Sequence, residues 1–194
     1  MPDTELVYES RHGWSTRTVV LLVGSLLLTA GLFLFDPSEP VDVKGFQVAA
    51  IWIQVPGFLL FGGGAAVLGY NAASRKVALR VDSTGVLLGG SPLRYAATTV
   101  LVPWSEIAAV ELWIQRVGRQ KLPYVGVHRH AGLPPLPGGT NRLGSAAAGK
   151  PAALVAGSRQ VGGWPLYTPA LLATVRRHAP ATAIAVDPDF PAKV

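Results

Sequence analysis

Residues 144–150, Gly-Ser-Ala-Ala-Ala-Gly-Lys, reproduce the start of the loop pattern G-x-x-x-x-G-K-[ST], whose backbone amides hold nucleotide phosphates. The match ends at Pro151, which stands where a Ser or Thr would bind magnesium and which removes a backbone N–H from the cradle. His128 and His130 fall on one face of an extended segment, as some metal sites require, but no third ligand lies near them in sequence. No metal site is therefore assigned. The chain has no cysteine, so thiolate chemistry and disulfides are both excluded. Gly89-Gly90-Ser91-Pro92-Leu93 lacks the last glycine of a nucleophile elbow. Glu106 and Glu111 are the only acids between Asp82 and Asp187, and they flank one segment rather than forming a catalytic pair. No catalytic set and no cofactor follow from these residues, and the expected protein is not an enzyme.

Arg116, Arg119 and Lys121 form the one charge cluster that suggests binding, three cations on a short connection that suit anionic lipid headgroups. The charge distribution points the same way. From Asn71 onward there are 14 Lys/Arg against 5 Asp/Glu, whereas the first 70 residues carry 3 and 6. Beside a membrane, lipid is a nearer explanation of such a balance than nucleic acid, so no nucleic-acid partner is assigned.

The elements that position these residues begin with two apolar runs. TVVLLVGSLLLTAGLFLF, residues 18–35, has 18 residues and no charge; as a helix it spans about 27 Å, close to the hydrocarbon thickness. A cleaved leader would need a shorter apolar core and a small-x-small site after Phe35, which is absent. The second run, residues 46–70, lies in a stretch without charge from Lys44 to Arg75. Residues 36–45 are a short external loop on this reading. Within the second run Gln54 and Pro56 fall near mid-membrane; Pro56 predicts a kink, and Gln54 is expected to face the other helix and hold the hairpin together. Gly62 with Ala66, and Ala65 with Gly69, are small-xxx-small pairs that offer a packing surface to the first helix, to a protein partner or to a second copy. Arg11 and Arg17 precede the first run, Arg75, Lys76 and Arg80 follow the second, and Lys44 stands alone between them. The positive-inside rule then places both termini, including residues 1–17, in the cytoplasm of a two-span plasma-membrane protein.

From Lys76 the pattern becomes strand-rich. Lys76–Val81 alternates, Asp82–Gly85 turns, Val86–Leu88 returns, and Gly89–Pro92 turns again. Tyr95–Val102, Ala108–Gln115, Pro123–His128 and Ala152–Ala156 are read as further strands, with Trp104 and Trp113 as core or rim residues. Residues 131–151, rich in Gly, Pro and Ala, read as a flexible loop. Thr168-Pro169 opens a helix: Thr suits the N-cap and Pro the first turn, while Leu171, Leu172 and Val175 form its apolar stripe. Residues 181–194 are left as a tail.

Two apolar spans followed by consecutive short strands, RVDSTGVLL at 80–88, VPWSEIAAVELW at 102–113 and a closing amphipathic helix resemble small bacterial membrane proteins with a cytoplasmic pleckstrin-homology-like (PH-like) domain. The resemblance covers Lys76 to about His178. It implies a helical transmembrane hairpin followed by an α+β, mostly antiparallel PH-like barrel over residues 71–180, closed by a C-terminal capping helix. It carries no ligand, because the first turn, Asp82–Gly85, has no Lys or Arg where phosphoinositide binders place theirs. The function expected is non-enzymatic interaction with a protein partner or with membrane lipids of the inner leaflet. The alternative is an accessory subunit of a transport or envelope-assembly complex acting through its helices, as a homo-oligomer or with a partner.

Overall fold

The computed structural model describes residues 6–37, 39–43, 46–136 and 149–194. Two compact units share the chain: Met1–Gly13 together with Arg75–Val194, and Trp14–Ser74. The second interrupts the first.

The described chain begins with strand β1, Tyr8–Arg11, and passes at once into the helical unit. Helix α1, Thr16–Gly31, starts where the Ser15 hydroxyl accepts the Thr18 N–H at 3.1 Å, and a 3-10 turn, Leu32–Leu34, extends it. The connection that follows holds a small antiparallel hairpin, β2 (Pro40–Val43) on β3 (Phe46–Ala49). The run beyond is α2 (Ile51–Gly57), a π-helical segment (Phe58–Gly62) and α3 (Gly63–Ala73). The widened turn follows Pro56, whose missing N–H breaks the i→i−4 ladder, so the predicted irregularity takes the form of a π segment.

The second helical run therefore occupies Ile51–Ala73 rather than 46–70. Phe46–Ala49 is apolar enough to have been read as helix, but it alternates and pairs with Pro40–Val43, and strand pairing satisfies its backbone. Thr16–Leu34 and Ile51–Ala73 are both long and apolar enough to cross a membrane. Their surface is apolar too: α1 has no buried residue, and Leu27 is 68% exposed. A helix hydrophobic on all sides needs protein or lipid around it.

The other unit consists of two four-stranded sheets. In the first, β4 (Val77–Asp82), β5 (Gly85–Leu88) and β6 (Val100–Pro103) follow one another antiparallel, and β1 adds to the outer side of β4 to give the order β1-β4-β5-β6. Between β5 and β6 lie a 3-10 turn, Pro92–Arg94, and a one-turn helix α4, Tyr95–Thr98. The second sheet is built on β7 (Ile107–Val117) and β8 (Gln120–Arg129), joined by a two-residue turn in which Gly118 adopts φ +56°, a conformation that favours glycine. Helix α5 (Ala152–Ala156), β9 (Ser158–Gln160), helix α6 (Thr168–His178) and β10 (Ala183–Val186) complete it in the order β10-β7-β8-β9, with β10 parallel to β7. Leu79, Leu88, Val102, Leu112, Val125 and Leu171 are all buried and belong to one core between these elements. Leu171 and Val175 of α6 are buried there, as their spacing predicts, and Leu172 packs at its margin.

The sheets do not close into the barrel expected for residues 71–180. Pro103 ends β6, and the 3-10 turn Trp104–Glu106 carries the chain into the second sheet, so each sheet keeps its own edges. Three further expectations change. Tyr95–Thr98 is helical rather than extended, with the Thr98 hydroxyl donating to the Arg94 carbonyl at 2.8 Å; the two alanines favour the turn. Ala152–Ala156 is helix α5 rather than a strand, and its Leu154 and Val155 are buried in a cluster with Trp113. Thr168 does not cap α6: Tyr167 holds that position, and the Thr168 hydroxyl donates to Pro191 O at 2.8 Å.

Segments read as peripheral belong to the domain. Residues of the N-terminal segment 1–17 supply β1, where Ser10 is buried and its hydroxyl donates to the Pro165 carbonyl. The tail 181–194 supplies β10, and Leu166 and Val194 exchange two backbone hydrogen bonds of 3.0 and 3.2 Å. Of the loop read at 131–151, residues 137–148 lie outside the described residues.

Candidate functional site

Arg116 and Lys121 face each other across the end of the β7–β8 hairpin, in direct register. Like charges in such positions repel, and the chain relieves this with Asp189, whose Oδ2 accepts from Arg116 Nη2 at 2.6 Å and Lys121 Nζ at 3.1 Å. These two hydrogen bonds hold the Asp189 carboxyl below its usual range. The cluster read as a lipid contact is thus two cations bound to an intramolecular anion, with the exposed Arg119 at the turn. Asp189 is far away in sequence, so no local signal announced the pairing.

A second polar cluster forms around Glu111. On β7, Val110, Leu112 and Ile114 enter the main core, so Glu111 and Trp113 point to the opposite face, which α5 covers. Glu111 Oε2 bonds His128 Nε2 at 2.6 Å, and its Oε1 accepts from Lys150 Nζ at 2.7 Å. Lys150 also lies 5.9 Å from the Trp113 ring centre. Trp113 stacks on Tyr124 at 4.4 Å and donates to Ser158 Oγ at 3.1 Å. Burial raises the Glu111 carboxyl, but the hydrogen bonds from Lys150 and His128 and their charges outweigh it and hold the group below its usual range. Trp113, 2% exposed, is core.

This cluster ties β7 to β8 and to the start of α5. Because the folded carboxyl sits low, its stabilisation is present above the ordinary value of 4.5 and is lost as pH falls through the folded value. Glu111→Gln should lower stability by about 2 kcal/mol at pH 7, the scale of a charge-assisted hydrogen bond, and the gap to wild type should narrow below about pH 4. Thermal melts at several pH values check this.

His128 is therefore engaged with Glu111, and the His130 N–H donates to the Glu106 carbonyl at 3.0 Å. No group of three candidate metal ligands occurs among the described residues. Glu106 takes Arg129 through two contacts on one oxygen, at 2.6 and 3.0 Å, while Trp104 donates to the Asp82 carbonyl at 2.9 Å. Lys150 of the nucleotide-like loop is committed to Glu111; residues 144–148 of that loop lie outside the described residues.

In the helical unit Gln54 is buried and its amide donates to the carbonyls of Leu32 and Phe35, at 3.1 and 2.7 Å. It lies in the first turn of α2 and satisfies the open end of α1, so it holds the hairpin together from the end of the helices rather than from mid-membrane. The small-residue pairs are split between two surfaces. Ala65 is buried, and a Cβ at Gly62 would touch Thr29 of α1 at 3.7 Å, whereas Ala66 is exposed and a Cβ at Gly69 would meet nothing within 4 Å.

The junction around Gly89-Gly90 carried no recognised signal beyond a turn. A Cβ at Gly89 would lie 2.0 Å from the Val77 carbonyl, so only glycine fits against β4. Arg159 reaches in from β9: its guanidinium donates to Gly89 O at 3.0 Å, Thr98 O at 3.0 Å and Ser158 O at 2.9 Å. Burial pulls its pKa down. His12 is lowered for the same reason, partly offset by a hydrogen bond to the Gly90 backbone. Polar groups of β1's exit, β4's neighbour and β9 thus converge on two glycines. Compared with protein-family models, with curated proteins and with solved structures, the chain matches none.

Proposed function

We propose that this protein is a non-enzymatic, membrane-anchored interaction module. The helices cross the plasma membrane as a hairpin and carry an open, PH-like two-sheet domain on the cytoplasmic side, where the domain binds a protein partner or the inner leaflet. The observation that carries this reading is the position of the hairpin within the sheet. It joins β1 to β4, adjacent antiparallel strands with Arg11 paired to Val77. The two leads are tied together, His12 N–H to Lys76 O at 2.9 Å and Arg11 Nη1 to Arg75 O at 3.5 Å. A chain that leaves a domain and returns to the same edge suits an even number of crossings. A cleaved leader fits poorly, since removal of residues through Phe35 would take β1 and its buried Ser10 away from β4. The PH-like reading draws on the antiparallel sheets and on α6 packed against the shared core. The non-enzymatic reading draws on Glu111, His128 and Lys150, each of which is used to tie elements together.

Orientation rests on Arg11, Arg17, Arg75, Lys76 and Arg80 on one side against Lys44 on the other. A reporter active only outside the membrane should be silent when fused after Val194 and active when inserted in the connection 36–45. The reverse pattern would overturn the orientation, and activity at neither position the span itself. The accessory-subunit alternative draws on the helix surface at Gly24, Gly31, Gly63 and Gly64, where an added Cβ would meet nothing within 4 Å.

A further inference from the structure

Arg116 and Lys121 share the single anion Asp189, and a second basic surface lies nearer in the chain to the helices. The chain itself restricts where. Arg75 and Lys76 follow α3, which ends at Ala73, by two and three residues, so a fully extended lead spans only about 10 Å. Arg75 turns the chain sharply, at φ +48°, the described non-glycine residue with positive φ. Lys76 then donates from Nζ to the Pro92 carbonyl at 2.8 Å and lies 5.3 Å from the Tyr95 ring centre, while the Tyr95 hydroxyl donates to Val77 O at 2.9 Å. These contacts fix the turn Pro92–Arg94 beside the lead.

That turn presents an unusual surface. Pro92 is buried and anchors it, whereas Leu93 is 55% exposed and Arg94 is exposed. Exposed Arg75 stands on the lead itself. Glu9 of β1 is taken by Arg11 at 2.6 Å. A large apolar side chain next to a long cation, held rigidly, is the combination that an anionic bilayer interface accommodates: the apolar group enters the headgroup–acyl boundary while the guanidinium meets phosphate. In water, Leu93 gains nothing from its exposure.

We propose that Leu93 and Arg94, held in place by Lys76 and joined by Arg75, form a ledge that contacts anionic lipid headgroups of the leaflet from which the helices emerge. The inference rests on the membrane-anchored reading and names the surface through which the domain meets lipid.

The absence of cysteine from the chain makes the test direct. Single variants Ser91→Cys, Arg119→Cys and Leu27→Cys of the full chain carry a polarity-sensitive fluorophore and are reconstituted into vesicles of phosphatidylcholine alone or with phosphatidylglycerol. Nitroxide-labelled lipids, quenching at the headgroup level or deep in the acyl region, report depth. Ser91 is exposed and adjoins the ledge, so its substitution leaves Leu93 and Arg94 intact. The expected result is shallow quenching at 91 in phosphatidylglycerol vesicles, none at 119 and deep quenching at 27. Adding Arg94→Gln should weaken the contact at 91 by roughly fivefold, and added salt should reduce the difference. Melting temperatures of the variants, equal to that of the parent, confirm that the domain is intact. A water-exposed label at 91 with deep quenching at 27 would overturn the ledge and leave the anchored reading standing. Equal quenching at 91 in neutral and anionic vesicles would overturn the charge contact, and a water-exposed label at 27 would overturn the anchored reading itself.

Discussion

A chain that begins at Arg75 is expected not to fold, although it contains every residue of the apparent C-terminal domain. Its β4 would lose β1, and with it the paired register Tyr8–Val81, Glu9–Arg80 and Ser10–Leu79. It would also lose the hydrogen bonds from His12 N–H to Lys76 O and from Gly13 N–H to Gly163 O, each 2.9 Å, and the one from the Tyr8 hydroxyl, which accepts Tyr167 N–H at 2.9 Å. At about 1 kcal/mol for each hydrogen bond, the loss is on the order of 5 kcal/mol before packing is counted, against a total stability of about 5–15 kcal/mol for a domain of ordinary stability. The bared edge of β4 would also promote association between chains. A variant that keeps residues 1–13 and replaces 14–74 by a short glycine-containing turn should instead give a soluble, cooperatively melting domain, because Arg11 and Val77 are already cross-strand partners. Gel filtration and circular-dichroism melts of the two proteins, side by side, test this. A folded chain from Arg75 onward would mean that β1 is dispensable.

The second large effect is expected at Arg159. Its guanidinium is the shared partner of the Gly89 and Thr98 carbonyls on one side and of Ser158 on the other, so it ties the β5–β6 connection to β9. Arg159→Ala leaves the buried acceptors without donors, at about 1–3 kcal/mol each, for a total near 3 kcal/mol and a fall in melting temperature of roughly 10 °C. Arg159→Lys should recover only part of this, since one ammonium cannot reproduce the planar fork. A thermal melt that moves by less than about 2 °C in Arg159→Ala would show that the carbonyls find other partners.

Periodicity accounts for most of the elements that were legible. The alternation of Val77, Leu79 and Val81, the turn at Asp82–Gly85 and the stripe Leu171, Leu172, Val175 are local patterns, and the structure has β4, its turn to β5 and α6 where they lie. The apolar runs were equally plain, because no charge interrupts them. Short ambiguous segments went the other way: Phe46–Ala49 became strand beside Pro40–Val43, Ala152–Ala156 became helix beside Trp113, and Tyr95–Thr98 took one helical turn that its two alanines favour. The candidate sites depended on such neighbours more strongly still. Glu111 was visible as an isolated acid, but its meaning depends on Lys150, separated from it by 39 residues.

The sequence by itself determined the two apolar helices, the basic strand-rich part that follows them and the lack of thiol chemistry, because these rest on composition and short-range spacing. Only the tertiary structure decided that the helical hairpin is an insertion within a sheet, that Asp189 binds both Arg116 and Lys121 at the hairpin tip and that Lys76 holds Pro92–Arg94 beside the lead. Each of these joins residues far apart in the chain. A strand of four residues such as β1 carries too little pattern to name its partner; the pairing is fixed by the burial of Ser10 and the closure of the open edge of β4.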